Sequence, residues 1–153
     1  PHTPASPPPP GSTPRPNIPA AAPAPTPACA EAVCKDFWER DNVANTVPRA
    51  GILSPLCQAS SKACAAYEKT ATRLTTEGHR YDGDLVTVKF IGTTDATRVS
   101  DYDVIANLVQ ERRSEIDATG KIIVTDARKD FRVHFVLLYT GQAWSVSSLK
   151  LVK

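Results

Sequence analysis

The chain has 153 residues and a mass of 16.5 kDa, and 12 of its 14 prolines fall in residues 1–27, which leaves about 125 residues for one compact domain. No apolar run approaches the roughly 20 residues needed to cross a bilayer as a helix. The formal net charge of +2 divides into +1 on the Pro-rich segment, from Arg15, and +1 on the remainder, where 17 Lys/Arg face 16 Asp/Glu; that balance argues against nucleic acid as a partner.

Residues 1–27 are almost entirely Pro, Ala, Ser, Thr and Gly, with Ile18 as their only large aliphatic side chain. Such a stretch cannot bury enough apolar surface to offset its ordering entropy. It is expected to be a disordered or partly polyproline II tether that reaches about 80 Å at about 3.1 Å per residue, with the folded domain over residues 28–153. The sequence has no Met and begins at Pro1, so we expect an export signal, a lipidated cysteine or a membrane helix upstream.

Cys29, Cys34, Cys57 and Cys64 lie within 36 residues, and the next 89 contain no cysteine. An even, clustered set points to two disulfides and an oxidising compartment, because spacings of four and six intervening residues lack the tight knuckle of common zinc sites. Three connectivities are possible. Cys57 with Cys64 would close a short ring between a loop and a helix start, and Cys29 can reach Cys34 only if Cys29 precedes the first helix. The favoured pairing is Cys57 with Cys64 and Cys29 with Cys34.

From Ala30 to Asn45 the residues Ala30, Val33, Cys34, Phe37, Trp38 and Ala44 follow helical three-and-four spacing, with Lys35, Asp36, Glu39 and Arg40 opposite. Pro48, Gly51 and Pro55 impose a loop. A second stripe of Ala63, Tyr67, Thr70, Ala71 and Leu74 ends at Gly78, with Ser60 or Ser61 as its cap. Beyond Gly78 the period changes to two. Four strands are expected, around Leu85–Ile91, Tyr102–Leu108, Phe131–Tyr139 and Trp144–Leu151, with turns at Gly92 to Asp95, Thr119-Gly120 and Thr140-Gly141. The expected fold is α+β, two N-terminal helices packed on a curved four-stranded antiparallel sheet.

The order helix, helix, long strands, together with the run LCQASSKACAAYEKTATRL at residues 56–74, G-H-R-Y-D-G-D at 78–84 and a closing W-S-V at 144–146, resembles a family of uncharacterised actinobacterial envelope lipoproteins similar to NTF2-like cone folds. The resemblance spans roughly residues 30–152 and implies an NTF2-like cone behind a signal peptide and spacer, without an assigned activity. A standard cone has a third helix, which this chain lacks, and Cys29 with Cys34 has no match in the family pattern.

Catalytic residues are not apparent. His2 lies in the tail, His79 in a turn, and His134 on the strand face opposite Phe131, Val133, Phe135, Leu137 and Tyr139, away from an enclosed pocket. Asp101 and Asp103 share a face opposite Tyr102, Val104 and Ala106, as solvated charge would. Asp82 and Asp84 bracket Gly83 in a turn without the ligands of a calcium loop. Triad, Walker and dinucleotide patterns are missing. Arg112-Arg113 and Arg128-Lys129 alternate with Glu111, Glu115, Asp126 and Asp130, which reads as a solvated hairpin end. The strongest positive feature is aromatic: Trp38, Tyr67, Tyr81, Tyr102, Phe135 and Trp144 could line a pocket between helices and sheet. The expectation is therefore an extracytoplasmic, stalk-tethered, non-enzymatic binding module whose partner is an envelope protein, with no metal or cofactor. The alternative is a carrier or sensor of a small amphiphile in that pocket.

Overall fold

A computed structural model describes residues 24–95, 97–98, 101–140 and 143–152. Of the tether expected over residues 1–27, residues 1–23 lie outside the described residues. The boundary after Pro27 is displaced: Ala24 already packs on the core, the Tyr102 hydroxyl donates to the Pro25 carbonyl, and helix α1 starts at Pro27.

Helix α1 (Pro27–Thr46) begins where local chemistry requires it to. The Thr26 hydroxyl accepts from Cys29 N at 3.2 Å, and Pro27 follows with a φ already suited to the first turn. A short 3-10 turn (Ser54–Leu56) interrupts the loop before α2 (Lys62–Glu77). Ser61 is the α2 cap, accepting from Cys64 N at 3.3 Å, and Gly78 closes the helix at φ 69°, a left-handed position that penalises any side chain.

Seven strands follow among the described residues: β1 (Arg80–Tyr81), β2 (Val86–Thr93), β3 (Asp101–Gln110), β4 (Arg113–Ile116), β5 (Ile122–Asp126), β6 (Lys129–Thr140) and β7 (Ala143–Val152). The four long strands form an antiparallel sheet in the order β2-β3-β6-β7, as the alternation requires. Register shifts at Val88/Phe90 and Val136/Leu137 mark its irregularities; such bulges bend and twist a strand. Gly92 belongs to β2 and not to the turn, and a Cβ there would stand 2.7 Å from the Phe90 ring.

The four-strand expectation is incomplete. A second sheet, β1-β4-β5, occupies the segment read as a solvated hairpin end. Gln110 pairs with Lys129 and Arg113 with Asp126, so β3/β4 and β5/β6 are two arms of one long hairpin, interrupted at residues 111–112 and 127–128 where pairing passes from one sheet to the other.

The helices cover one face of the large sheet. Phe37 and Trp38 of α1, with Val104, Val133, Phe135, Leu137 and Val146 from the strands, are fully buried. Their rings meet edge to face: Phe37 lies 5.4 Å from Phe135 and Trp38 5.8 Å from Phe135, in the geometry that aromatic quadrupoles favour. Asn42 fastens α1 to β2 through two 2.9 Å bonds, its amide donating to Val86 O and its carbonyl accepting from Val86 N.

The Cys57–Cys64 disulfide forms as expected and joins the loop to the start of α2. In the loop-entropy picture a ring this short contributes about 2 to 3 kcal/mol. The loop also rests on β7, with Gln58 N donating to Val146 O at 2.9 Å. The Cys29–Cys34 pairing is corrected: both residues are buried thiols within α1. Five helical steps turn their side chains about 140° apart and set their Cα atoms beyond the reach of a disulfide. The condition that Cys29 precede the helix is not met, because the Thr26 cap starts it three residues earlier.

Candidate functional site

The hydrophobic stripe of α1 contains two polar residues. Asp41 follows Trp38 by three positions and Phe37 by four, and Asn45 follows Asp41 by four, so both fall on the buried side. Each is only 3% exposed. They face a cavity of about 230 Å³ that opens where the long hairpin leaves the large sheet. Trp38, Asp41 and Asn45 form its α1 wall and Tyr67 and Thr70 its α2 wall; Tyr81 and Val86 close one side, and Gln110, Asp126, Lys129 and Phe131 come from the bending hairpin. A cavity of 150 Å³ holds benzene, so this one has room for a ring and a short arm.

Burial pushes the Asp41 carboxyl up to about 7, against a smaller opposing pull from the Asn45 side chain. The Asn45 amide donates to the Asp41 carbonyl at 2.8 Å, while its Oδ1 is buried and accepts no hydrogen bond from a described residue. Desolvation, then the nearby Asp41 charge, pushes the Tyr67 hydroxyl up to about 12. Tyr81 is likewise pushed up to about 12, by burial and then by Asp126, to which its hydroxyl donates at 3.1 Å. Both phenols therefore stay protonated at neutral pH, whereas the Asp41 carboxyl changes charge near it.

The six aromatic residues named from sequence do not form one pocket. Trp38, Tyr67 and Tyr81 line the cavity. Phe135 stands behind Trp38 in the solid core. Tyr102 and Trp144 pack together at 5.1 Å, with Tyr139 5.0 Å from Trp144, in a separate group near the start of α1. Strand alternation assigns side chains to a face, whereas the partition along that face follows from where the hairpin bends. Asp41 and Asn45 were not among the sequence candidates, and the available signal was a carboxylate and an amide on an apolar stripe.

Two ionic clusters lie elsewhere. Glu115 of β4, 3% exposed, accepts from Arg73 Nη1 and Nη2 at 3.0 and 2.8 Å and lies 2.7 Å from His79 Nδ1. Arg73 foremost, with His79 assisting, holds its carboxyl below the usual range despite burial. Glu77, His79 and Glu115 bring their ligand atoms within 4.8 Å of one another, but Arg73 already bonds both carboxylates, at 2.6 Å to Glu77. The cluster is an ion-paired clasp between α2 and β4. On the outer face of the large sheet His134 contacts Asp103, which also accepts from Thr94 Oγ1 at 2.7 Å. That is the face expected for both residues. Asp82 is bonded to β4, its carboxylate accepting from Ser114 N and its own N donating to Ser114 O, both at 3.0 Å. Cys34 is inert packing, since burial pushes its thiol far above the ordinary value.

No family model and no curated protein matches the chain. Solved structures share its fold. The intermembrane space region of the chloroplast protein ARC6 superposes with a TM-score of 0.63 at 13% identity, covering 85% of this chain and 98% of that one. The β subunit of benzoate 1,2-dioxygenase from Burkholderia mallei gives 0.55 at 10% identity over 84% and 91% of the two chains. An aromatic ring hydroxylase homologue from Novosphingobium aromaticivorans gives 0.51 at 12% identity over 79% and 86%. At these identities the likeness concerns the fold, helices laid on an antiparallel sheet, and does not extend to activity.

Proposed function

We propose that the domain is an NTF2-like cone that acts outside the cytoplasm as a non-enzymatic binding module, and that its ligand is a small amphiphile held in the cavity beside Trp38. The cavity itself carries this reading: aromatic walls supply an apolar body site, and Asp41 with Asn45 supplies a polar end. Ligand pockets combine these two elements, a mostly apolar lining and a few placed polar groups. The Cys57–Cys64 disulfide is compatible with an extracytoplasmic location. The Pro/Ala-rich sequence of residues 1–23 supports display on a stalk, from which an envelope protein could also be met.

Asp41 favours a second reading, proton transfer to or from a bound molecule, because a carboxyl near 7 can act as acid or base. Binding is the simpler role, as the neighbouring Tyr67 and Tyr81 hydroxyls remain protonated.

Benzyl alcohol titrated into the protein and followed by amide chemical shifts tests the binding reading. The expected result is saturable binding with shifts centred on Trp38, Tyr67 and Tyr81, abolished by Thr70→Phe, which fills the cavity from α2. Scattered shifts, or binding that survives Thr70→Phe, would contradict it.

A further inference from the structure

The α1 wall of the cavity places two side-chain acceptors where a ligand can meet them. Asn45 Oδ1 is buried without a donor among the described residues, and the Asp41 carboxyl stands one helical turn away on the same wall. Across the cavity Asp126 is engaged with Tyr81, and the one cation among the described lining residues is Lys129, on the hairpin side. The two acceptors of α1 thus stand beside four aromatic side chains, Trp38, Tyr67, Tyr81 and Phe131, with Trp38 Nε1 as a buried donor that has no partner among the described residues.

Resting on the small-ligand reading, we infer that the cavity takes a small organic ammonium, a primary or secondary amine cation on an apolar body about the size of one ring. Its N–H groups serve the two acceptors of α1, and its body lies among the rings. A carboxylate ligand would meet Asp41 as a like charge, and a neutral alcohol could donate only one hydrogen bond. The buried Asp41 carboxylate is costly to charge alone, and a cation beside it removes much of that cost.

Calorimetric titration at pH 7.5 with 2-phenylethylamine, 2-phenylethanol and phenylacetate tests the assignment. The amine should bind about tenfold or more tightly than the alcohol, and phenylacetate most weakly. In Asp41→Asn the ratio of amine to alcohol affinity should fall close to one; should that variant not fold, the ratio in the unaltered protein decides the matter. An alcohol that binds as well as the amine, or a ratio unchanged in Asp41→Asn, overturns the ammonium assignment and leaves the small-ligand reading standing. Absence of binding by all three compounds overturns both.

Discussion

Replacing Asp41 with asparagine should raise the stability of the domain at pH 8 by about 2 to 4 kcal/mol and change it little at pH 4. The reasoning is linkage. Burial raises the native carboxyl from 3.8 to about 7, so between those values the folded state binds more protons than the unfolded state. Unfolding free energy then falls as pH rises through the window and stays at the lower level above it. Asparagine keeps the shape and has no charge to bury, so it recovers what the ionised carboxylate costs. Glu115 acts with the opposite sign, because its native pKa is depressed: its contribution is complete above the unfolded value and disappears as pH falls through the folded one. Urea denaturation at the two pH values would read the difference, and equal effects of Asp41→Asn at both, or a loss at pH 8, would refute the burial argument.

Phe37→Ala should cost about 3 to 5 kcal/mol, the range for truncating a fully buried aromatic ring. Phe37 has no exposed surface and packs edge to face on Trp38 at 5.0 Å, on Phe135 at 5.4 Å and on Tyr67 at 5.9 Å. Two of those three rings are cavity walls, so removing Phe37 also loosens the site. Phe90→Ala is the control, since Phe90 is 55% exposed on the outer face, and surface changes of this kind usually fall within about 0.5 kcal/mol. Comparable losses for the two variants would mean that the helix–sheet core is not where stability resides.

Those two residues also show how far the sequence can be read. Phe37 lies on a helical stripe whose spacing and stop were visible, though its Thr26 cap was not, and the long strands announced themselves by alternation from Tyr102 to Leu108 and Phe131 to Tyr139. Ser61, Gly78 and the Cys57–Cys64 bridge were legible for the same reason, because each answers a local geometric need. The second sheet was not. β1 has two residues, β4 carries Arg113 and Glu115, and β5 leaves Ile122 at 61% exposure, so none has the clean two-sided pattern of a half-buried strand. The buried state of Glu115 depends on Arg73, which is 42 residues distant and reaches it only after α2 docks on β4. Cys29 with Cys34 failed because one cap residue set the helix start. Asp41 is the more instructive omission, for a polar residue on an apolar stripe breaks a local rule, and such breaks gather at functional sites.

The central claim is that the cavity between α1, α2 and the bent hairpin holds a small molecule. Native mass spectrometry of the protein isolated gently from its own source tests it most directly. The account predicts a species heavier than the chain by the mass of one small molecule, which vanishes on denaturation and is missing from the Thr70→Phe variant. A single mass equal to the chain alone in the unaltered protein, or an added mass that Thr70→Phe retains, would contradict it.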